Sequence, residues 1–320
     1  MDFREIIRRN NSRTRWVVLT YIAIMCLVGL LVDILFNADP QLDFTQNLLL
    51  FIQFQRTPYA TLGILALTVL GLGVIHHFGP KMMLTGMEAR EITPEGENSN
   101  IERQLLNIIE ELSLGATLGY IPKLYILNTP EPNAFAAGWS AENALVGVTQ
   151  GLLDRLNRQE IQAVLAHEVG HIVHGDSKLT LYVGILANVI LTITNIFSQL
   201  FYLSSAQDNR RNEAANKARL LLIILNMVLP LITQVLYFYL SRTREYMADA
   251  ASVELTQDNQ AMISALRKIS SEHETYQYDH TDTGQAYRSA AYIYHKGDSF
   301  FATHPSIENR IAALEGRLTP

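Results

Sequence analysis

Cysteine and net positive charge are both scarce in this 320-residue chain, and each shortage excludes a class of protein. Cys26 is the only cysteine. No intramolecular disulfide can form, so a disulfide scaffold is excluded and nothing requires an oxidising compartment. Lys and Arg total 25 against 31 Asp and Glu, a net charge of −6. No basic stripe follows the first fifteen residues, so the electrostatic footprint of a nucleic-acid binder is missing. Charge of either sign is nearly absent from four runs, residues 16–36, 59–78, 179–203 and 220–240, which hold Asp33 alone. All other charged residues lie outside these runs, where the composition is that of a globular domain. This argues against one ordinary water-soluble domain, and collagenous and disordered chains drop out.

Each run holds 20 residues or more. At about 1.5 Å per residue, 20 residues in a helix span roughly 30 Å, the thickness of a bilayer core. All four predict transmembrane helices. The first is longer than a signal-peptide core and no A-x-A site follows it, so it reads as a retained helix. The later two also fit a pair of buried core helices, because Asn188, Thr192, Thr194, Asn195, Asn226 and Gln234 interrupt them. Arg4, Arg8, Arg9, Arg13 and Arg15 precede the first run, whereas residues 37–58 offer only Arg56. This asymmetry puts the N-terminus in the cytoplasm, and two crossings return the chain there at Lys81 and Arg90. Arg210, Arg211, Lys217 and Arg219 break the pattern. Either the second hairpin does not fully cross, or the rule is overridden there.

The polar region between the second and third runs opens with Ser99 and Glu102, an S-x-x-E capping box ahead of Ile101, Leu105, Ile108, Ile109 and Leu112. KLYIL from Lys123 reads as a strand and Pro130–Glu131–Pro132 as a turn. Residues 133–138 and 144–149 read as two further strands, giving a small mixed sheet. Asn157 and Glu160 then start a helix that contains HEVGH. His167 and His171, four apart, share one helical face, which lets two imidazoles converge on a single ion with Glu168 beside them. Neutral imidazoles suit zinc, and a catalytic zinc site takes three protein ligands with a fourth position open. The adjacent carboxylate can take a proton from water and deliver it to a leaving amine. His174 shares the face but cannot easily join two ligands on one rigid helix, so it reads as a supporting or surface residue. A third ligand must come from elsewhere. The fourth run ends in SRTREYMADA, where Glu245 supplies a carboxylate and Asp249, one turn on, can hydrogen-bond a ligand histidine. His171 and Glu245 can share an ion only if the chain between them crosses the membrane an even number of times.

HEVGH, REYMAD and FATHPSIENRIAAL at residues 301–314, in this order, resemble the HtpX family of integral-membrane zinc metalloproteases, relatives of the CaaX-processing and OMA-type membrane peptidases. The likeness covers nearly the whole chain. It implies a mostly α (α+β) protein, four transmembrane helices plus a zincin-like metalloprotease domain with a small sheet. The divisions are 1–80, an N-terminal hairpin; 81–178, the first part of the protease domain with the HEXXH helix; 179–240, a second hairpin; and 241–320, the remainder with the third zinc ligand. The resemblance implies one Zn2+ per chain on His167, His171 and Glu245, with Glu168 as general base and acid. It implies Asp249 as the carboxylate behind a ligand, and His304 as a donor near the site with Arg310 positioning it. Asn133, Ala134 and Phe135 look like the edge strand that aligns an extended substrate by strand addition. It also implies a multi-pass protein of the bacterial inner membrane whose catalytic domain faces the cytoplasm. There it would act under stress on unfolded or damaged membrane proteins, with the bilayer as its surroundings and no nucleic acid.

Residues 274–299 match no motif of that family and crowd five tyrosines, Tyr276, Tyr278, Tyr287, Tyr292 and Tyr294, into what reads as a lid or a mobile loop. Other readings stay open on residues alone: a non-catalytic scaffold for unfolded segments, a metal carrier whose closed site adds His174, and a processing protease of narrow specificity. One expectation is independent of them. Imidazoles must be neutral to ligate, so metal affinity should fall below about pH 6 to 6.5. Stoichiometric zinc and full activity at pH 5 would contradict this.

Overall fold

The computed structural model describes residues 3–96, 99–138, 141–180, 182, 186, 213–238, 243–275, 293 and 305–317. In chain order these form α1 (Phe3–Asn37), α2 (Phe44–Ile52), α3 (Tyr59–Met82), β1 (Ala89–Ile92), α4 (Asn100–Gly115), β2 (Lys123–Leu127), β3 (Ala134–Ala137), β4 (Leu145–Thr149), α5 (Gln150–Arg155), α6 (Arg158–His174), α7 (Glu213–Phe238), α8 (Thr243–Thr256), α9 (Asn259–Thr275) and α10 (Ile307–Leu314). Two compact units result, one of Met1–Thr14, Phe78–Gly184 and Tyr237–Pro320, the other of Arg15–His77 and Ile185–Leu236.

In the first unit the four strands lie in the order β1-β2-β4-β3. β2 and β4 run parallel, while β1 and β3 are antiparallel to their neighbours, so the sheet is mixed as expected. β3 is an edge. The Thr149 N–H donates to the Asn133 carbonyl. Phe135 and Ala137 therefore pair with β4, and Ala134 and Ala136 turn their backbone groups outward. Leu105, Ile108, Ile109 and Leu112 of α4 pack with β2, β4 and the apolar face of α6 in one core. Ser99 caps α4 as its capping box requires.

α6 starts at Asn157, whose side chain accepts the Glu160 N–H at 3.0 Å. Glu160 accepts the Asn157 N–H at 2.8 Å and two bonds from α9, Ser264 Oγ at 2.6 Å and Lys268 Nζ at 2.8 Å. One buried carboxylate thus starts the motif helix and clamps α9 to it. α6 ends at Gly175, whose φ of 71° lies in the left-handed region that favours glycine. Helical backbone resumes at residues 176–180. α8 lies against α6 at close range: a Cβ on Gly170 would stand 2.9 Å from Ala251 Cβ.

In the second unit the lone charge of the apolar runs has a structural assignment. Asp33 of α1 is fully buried and accepts the Ala60 N–H (2.8 Å), the Thr61 N–H (2.9 Å) and Thr61 Oγ1 (2.7 Å). It caps the first turn of α3 from the neighbouring helix, where N–H groups have no helical partner. Leu31, Ile34, Phe51, Ala214, Ala218 and Leu222 form a second apolar cluster. Apolar side chains also stand exposed, among them Leu67, Val69 and Leu70 of α3 and Leu220, Met227 and Leu231 of α7.

Among the described residues one helix, Asn10–Asn37, is long and apolar enough to cross a membrane. A second crossing requires Tyr59–Val74 and His76–Met82, bent by 58°, to act as one span. Pro80 lies inside that helix and cannot donate to the carbonyl four residues back, which accounts for the break. Four spans are thus not established. Most of the third run lies outside the described residues, and the fourth is helical to Phe238. Of the tyrosine-rich stretch only Glu274, Thr275 and Ile293 are described, so its reading as a lid or loop lies outside them.

Glu160 should be felt in acid. Burial opposes its ionisation, but Lys268, Ser264 and the Asn157 N–H hold its carboxyl below the ordinary 4.5. A depressed folded pKa contributes stability that is present above the unfolded value and lost as pH falls through the folded one. Glu160→Gln should therefore flatten the decline of melting temperature below about pH 4.5. Glu160→Ala should cost about 1–3 kcal/mol at neutral pH. Circular dichroism melts of the three proteins between pH 3 and 7 measure both.

Candidate metal centre

His167 and His171 lie one turn apart on α6, and Glu245 sits in the first turn of α8. The two Nε2 atoms are 3.2 Å apart. Glu245 brings Oε2 to 3.7 Å from the Nε2 of His167 and Oε1 to 3.6 Å from that of His171. A tetrahedron with metal–ligand bonds of about 2.0–2.1 Å has edges of roughly 3.3–3.4 Å, so within this triangle the two imidazole nitrogens are at ligand spacing and Glu245 presents one oxygen slightly beyond it to each. Among the described residues these three are the group whose donor atoms lie close enough for one ion.

The far nitrogen of each ring fixes its tautomer. His167 Nδ1 lies 2.9 Å from Asp249 Oδ1 and 3.4 Å from Arg310 Nη2. A ring nitrogen cannot donate to the first and accept from the second at once. The nearer partner is an anion, so Nδ1 carries the proton. His171 Nδ1 faces Asp176 Oδ2 at 3.4 Å in the same sense. Both Nε2 lone pairs then point at each other, an arrangement that repels unless a cation lies between them.

Asp249 is held in turn by Arg310, through Nε to Oδ2 at 2.9 Å and Nη2 to Oδ1 at 2.6 Å. Arg310 is fully buried, with Nη1 donating to the Ile293 carbonyl (3.0 Å) and lying 3.6 Å from Glu245 Oε2. The expectation tied Arg310 to His304. His304 lies outside the described residues, and the contacts of Arg310 are to Asp249, His167, Glu245 and Ile293.

Electrostatics separates the two histidines. Burial drives His167 down to about 4, with Asp249 only partly offsetting it. Burial also works against protonation of His171, but Asp176, Glu245 and Glu168 outweigh it and raise its pKa. A proton that competes with a metal therefore sits on His171. Burial pushes Glu168 up to about 7, with Glu245 adding to the rise and His171 and Arg310 opposing it. Neither Glu168 oxygen has a hydrogen-bond partner among the described residues. The Ala136 N–H opposes the rise slightly, without reaching ordinary hydrogen-bond geometry. For Asp249, burial is overcome by the Arg310 charge, which holds the carboxyl low. The convergent lone pairs, the triangle and the orphaned buried carboxylate together fit a small divalent ion.

His174 is buried on the same helix but stands outside the triad. Asn133 precedes the edge strand, and Ala134 and Phe135 are in it. The outward carbonyl of Ala134 already accepts the Ile293 N–H at 3.0 Å. A substrate strand pairing there must exchange with that contact. Two contributors escaped the sequence reading. Asp176 is brought back to His171 by the left-handed turn at Gly175. Gly170 costs about 1 kcal/mol in a helix interior, and that expense was the available signal of a close helix contact.

The pattern of peptidase family M48 matches residues 95–318. The chain is 42% identical over 318 residues to the "Protease HtpX homolog" of Helicobacter acinonychis (strain Sheeba), covering 99% of both chains. It is 31% identical over 319 residues to the protein of that name from Limosilactobacillus reuteri (strain DSM 20016), covering 96% of this chain and 97% of the other. Among solved structures, S. mikatae Ste24p is similar with 20% identity and a TM-score of 0.42. That match covers 83% of this chain and 60% of the other.

The spacing of α6 and α8 should govern metal binding. Gly170→Val would force Ala251 away and with it Glu245, so zinc retained after dialysis should fall well below one per chain, measured by mass spectrometry. Overpacking of this kind costs about 1–3 kcal/mol. Gly170→Ala should do less harm, and adding Ala251→Gly to it should restore retention by returning the space.

Proposed function

Because the chain belongs to peptidase family M48 and to the HtpX homologues within it, we propose that it is a membrane-embedded, zinc-dependent endopeptidase. In this reading it hydrolyses internal peptide bonds of misfolded or damaged membrane proteins. The observation that carries it is a three-donor cluster, His167, His171 and Glu245, beside a buried carboxylate, Glu168, that has no hydrogen-bond partner among the described residues. Three donors leave a coordination position for water or substrate, whereas a carrier site would be closed by four.

His167, His171 and Glu245 would hold one Zn2+, and Asp249 with Arg310 would keep His167 in the ligating tautomer. When bound, the ion supplies a Lewis acid that polarises the scissile carbonyl and acidifies water. Glu168 takes a proton from the attacking water on one carboxylate oxygen and passes it to the leaving amine nitrogen as the C–N bond breaks. A pKa near 7 suits both halves of that transfer, because the group accepts and releases a proton near neutral pH. His304 is assigned to the oxyanion, as a donor to the developing charge. Asn133, Ala134 and Phe135 are assigned to substrate alignment by backbone pairing along the edge strand. Such pairing grips main chain and discriminates side chains little, which suits damaged proteins as substrates.

The apolar helix Asn10–Asn37 and the exposed apolar side chains of α3 and α7 support a place in the bilayer. Four crossings, a catalytic domain on the cytoplasmic side of a bacterial inner membrane, and a role under stress complete the reading. They rest on the charge pattern around the apolar runs and on the family.

Purified full-length chain with added zinc should cleave an unfolded protein such as casein into many fragments, seen on a gel. Glu168→Ala should lower the rate at least about 100-fold while zinc content stays the same. Equal cleavage by both proteins would remove Glu168 from catalysis. A single defined cut would favour a processing protease of narrow specificity.

A further inference from the structure

Ten residues into the chain, ahead of the first apolar run, Asn10 of α1 is buried against the far end of the motif helix. Its Nδ2 donates to the His174 carbonyl at 3.0 Å and to Asp176 Oδ1 at 2.7 Å. The His174 carbonyl belongs to the last turn of α6, where carbonyls have no helical partner. One amide thus uses both N–H groups, the first to close the helix end and the second to fix the Asp176 carboxylate. With Oδ1 held by Asn10, Oδ2 is left facing His171 Nδ1 at 3.4 Å.

Asp176 is 1% exposed and has a competing attraction. Arg244 lies 4.0 Å from the same Oδ1 and donates to the Asp176 carbonyl at 3.5 Å and to Thr180 Oγ1 at 3.1 Å. Without Asn10, the carboxylate is free to turn toward that guanidinium and away from the imidazole. The neighbouring contacts reinforce the placement of the N-terminal turns. Lys178 Nζ donates to Asn11 Oδ1 at 3.3 Å, and Thr14 Oγ1 donates to the Asn10 carbonyl at 3.0 Å.

We infer that Asp176 is a positioning residue for His171 and that Asn10 holds Asp176 in place, so that the segment ahead of the first apolar run is a working part of the metal centre. This rests on the reading of His167, His171 and Glu245 as metal ligands. A carboxylate behind a ligand imidazole fixes the ring and its tautomer, and losing it typically weakens metal binding 10–100-fold.

The test is metal affinity of the purified full-length chain in detergent. Zinc is titrated against a chromophoric chelator, and the visible spectrum of the Co2+ form reports ligand geometry. Asp176→Ala should weaken zinc about 10–100-fold, Asn10→Ala should weaken it in the same direction by less, and both should alter the Co2+ spectrum. In the Asp176→Ala background, Asn10→Ala should have no further effect on affinity, because its route to His171 is gone. Asp176→Asn keeps the size and an acceptor oxygen. It should lose less than alanine, and it serves if alanine does not fold. Additive losses for the double variant, or wild-type affinity in Asn10→Ala, would overturn the inference. Failure of wild-type protein to bind one zinc per chain would instead sink the reading of the site itself.

Discussion

Among the described residues, four carboxylates and two guanidiniums are packed around His167 and His171 with almost no access to water. Glu168, Asp176, Glu245 and Asp249 are each 2% exposed or less, and Arg310 and Arg244 are 0% and 6% exposed. Fully ionised, the group carries two negative charges in excess, at a depth where each unbalanced charge costs several kcal/mol. The upward shift of His171 is one response to that excess, driven against burial by Asp176, Glu245 and Glu168, whereas that of Glu168 comes first from burial, with Glu245 adding to it. A divalent cation on the three donors would cancel the excess in full. The partners follow the same constraint. Arg310 reaches Asp249 with two nitrogens, and Arg244 stands by Asp176, so the carboxylates behind both histidines are compensated. Among the described residues Glu168 has no hydrogen-bond partner, which is compatible with the proton exchange proposed for it.

Helix ends reinforce this balance. His171 is in the last turn of α6, where the helix dipole presents its negative end and favours a nearby cation. Glu245 is in the first turn of α8, where the positive end favours a carboxylate. The close packing at Gly170 lets both effects act on one point. Asp33 illustrates a different use of a buried charge. An ionisable group in a membrane-length helix is ordinarily read as functional, yet this one is consumed by three donors at the start of α3.

What could be read from the sequence was local. The two capping boxes, the strands at Lys123 and Leu145, and the four-residue spacings His167–His171 and Glu245–Asp249 are set by neighbours in the chain. β1 was missed because its four residues include Arg90 and Glu91 and show no apolar alternation. α2 was missed because it is nine residues long and lies inside an apparent loop, although Asp43 and Gln46 form a capping box there. The less legible part of the site is long-range. Asn10 and Asp176 are 166 positions apart, and Arg310 and Asp249 are 61 apart. No periodicity joins them, because burial of charge selects partners in space and is indifferent to their order in the chain.

That order has a consequence for the timing of biosynthesis. Arg310 lies 143 positions after His167, and the carboxylate it pins, Asp249, orients His167. At 5–20 residues per second, a growing chain exposes the HEVGH helix roughly 7–29 s before the guanidinium that completes its surroundings is made. During that interval the motif exists without its finished support. The buried charges around the motif therefore become balanced late in synthesis, and a chain interrupted before Arg310 would hold HEVGH without the support of Asp249 that Arg310 supplies.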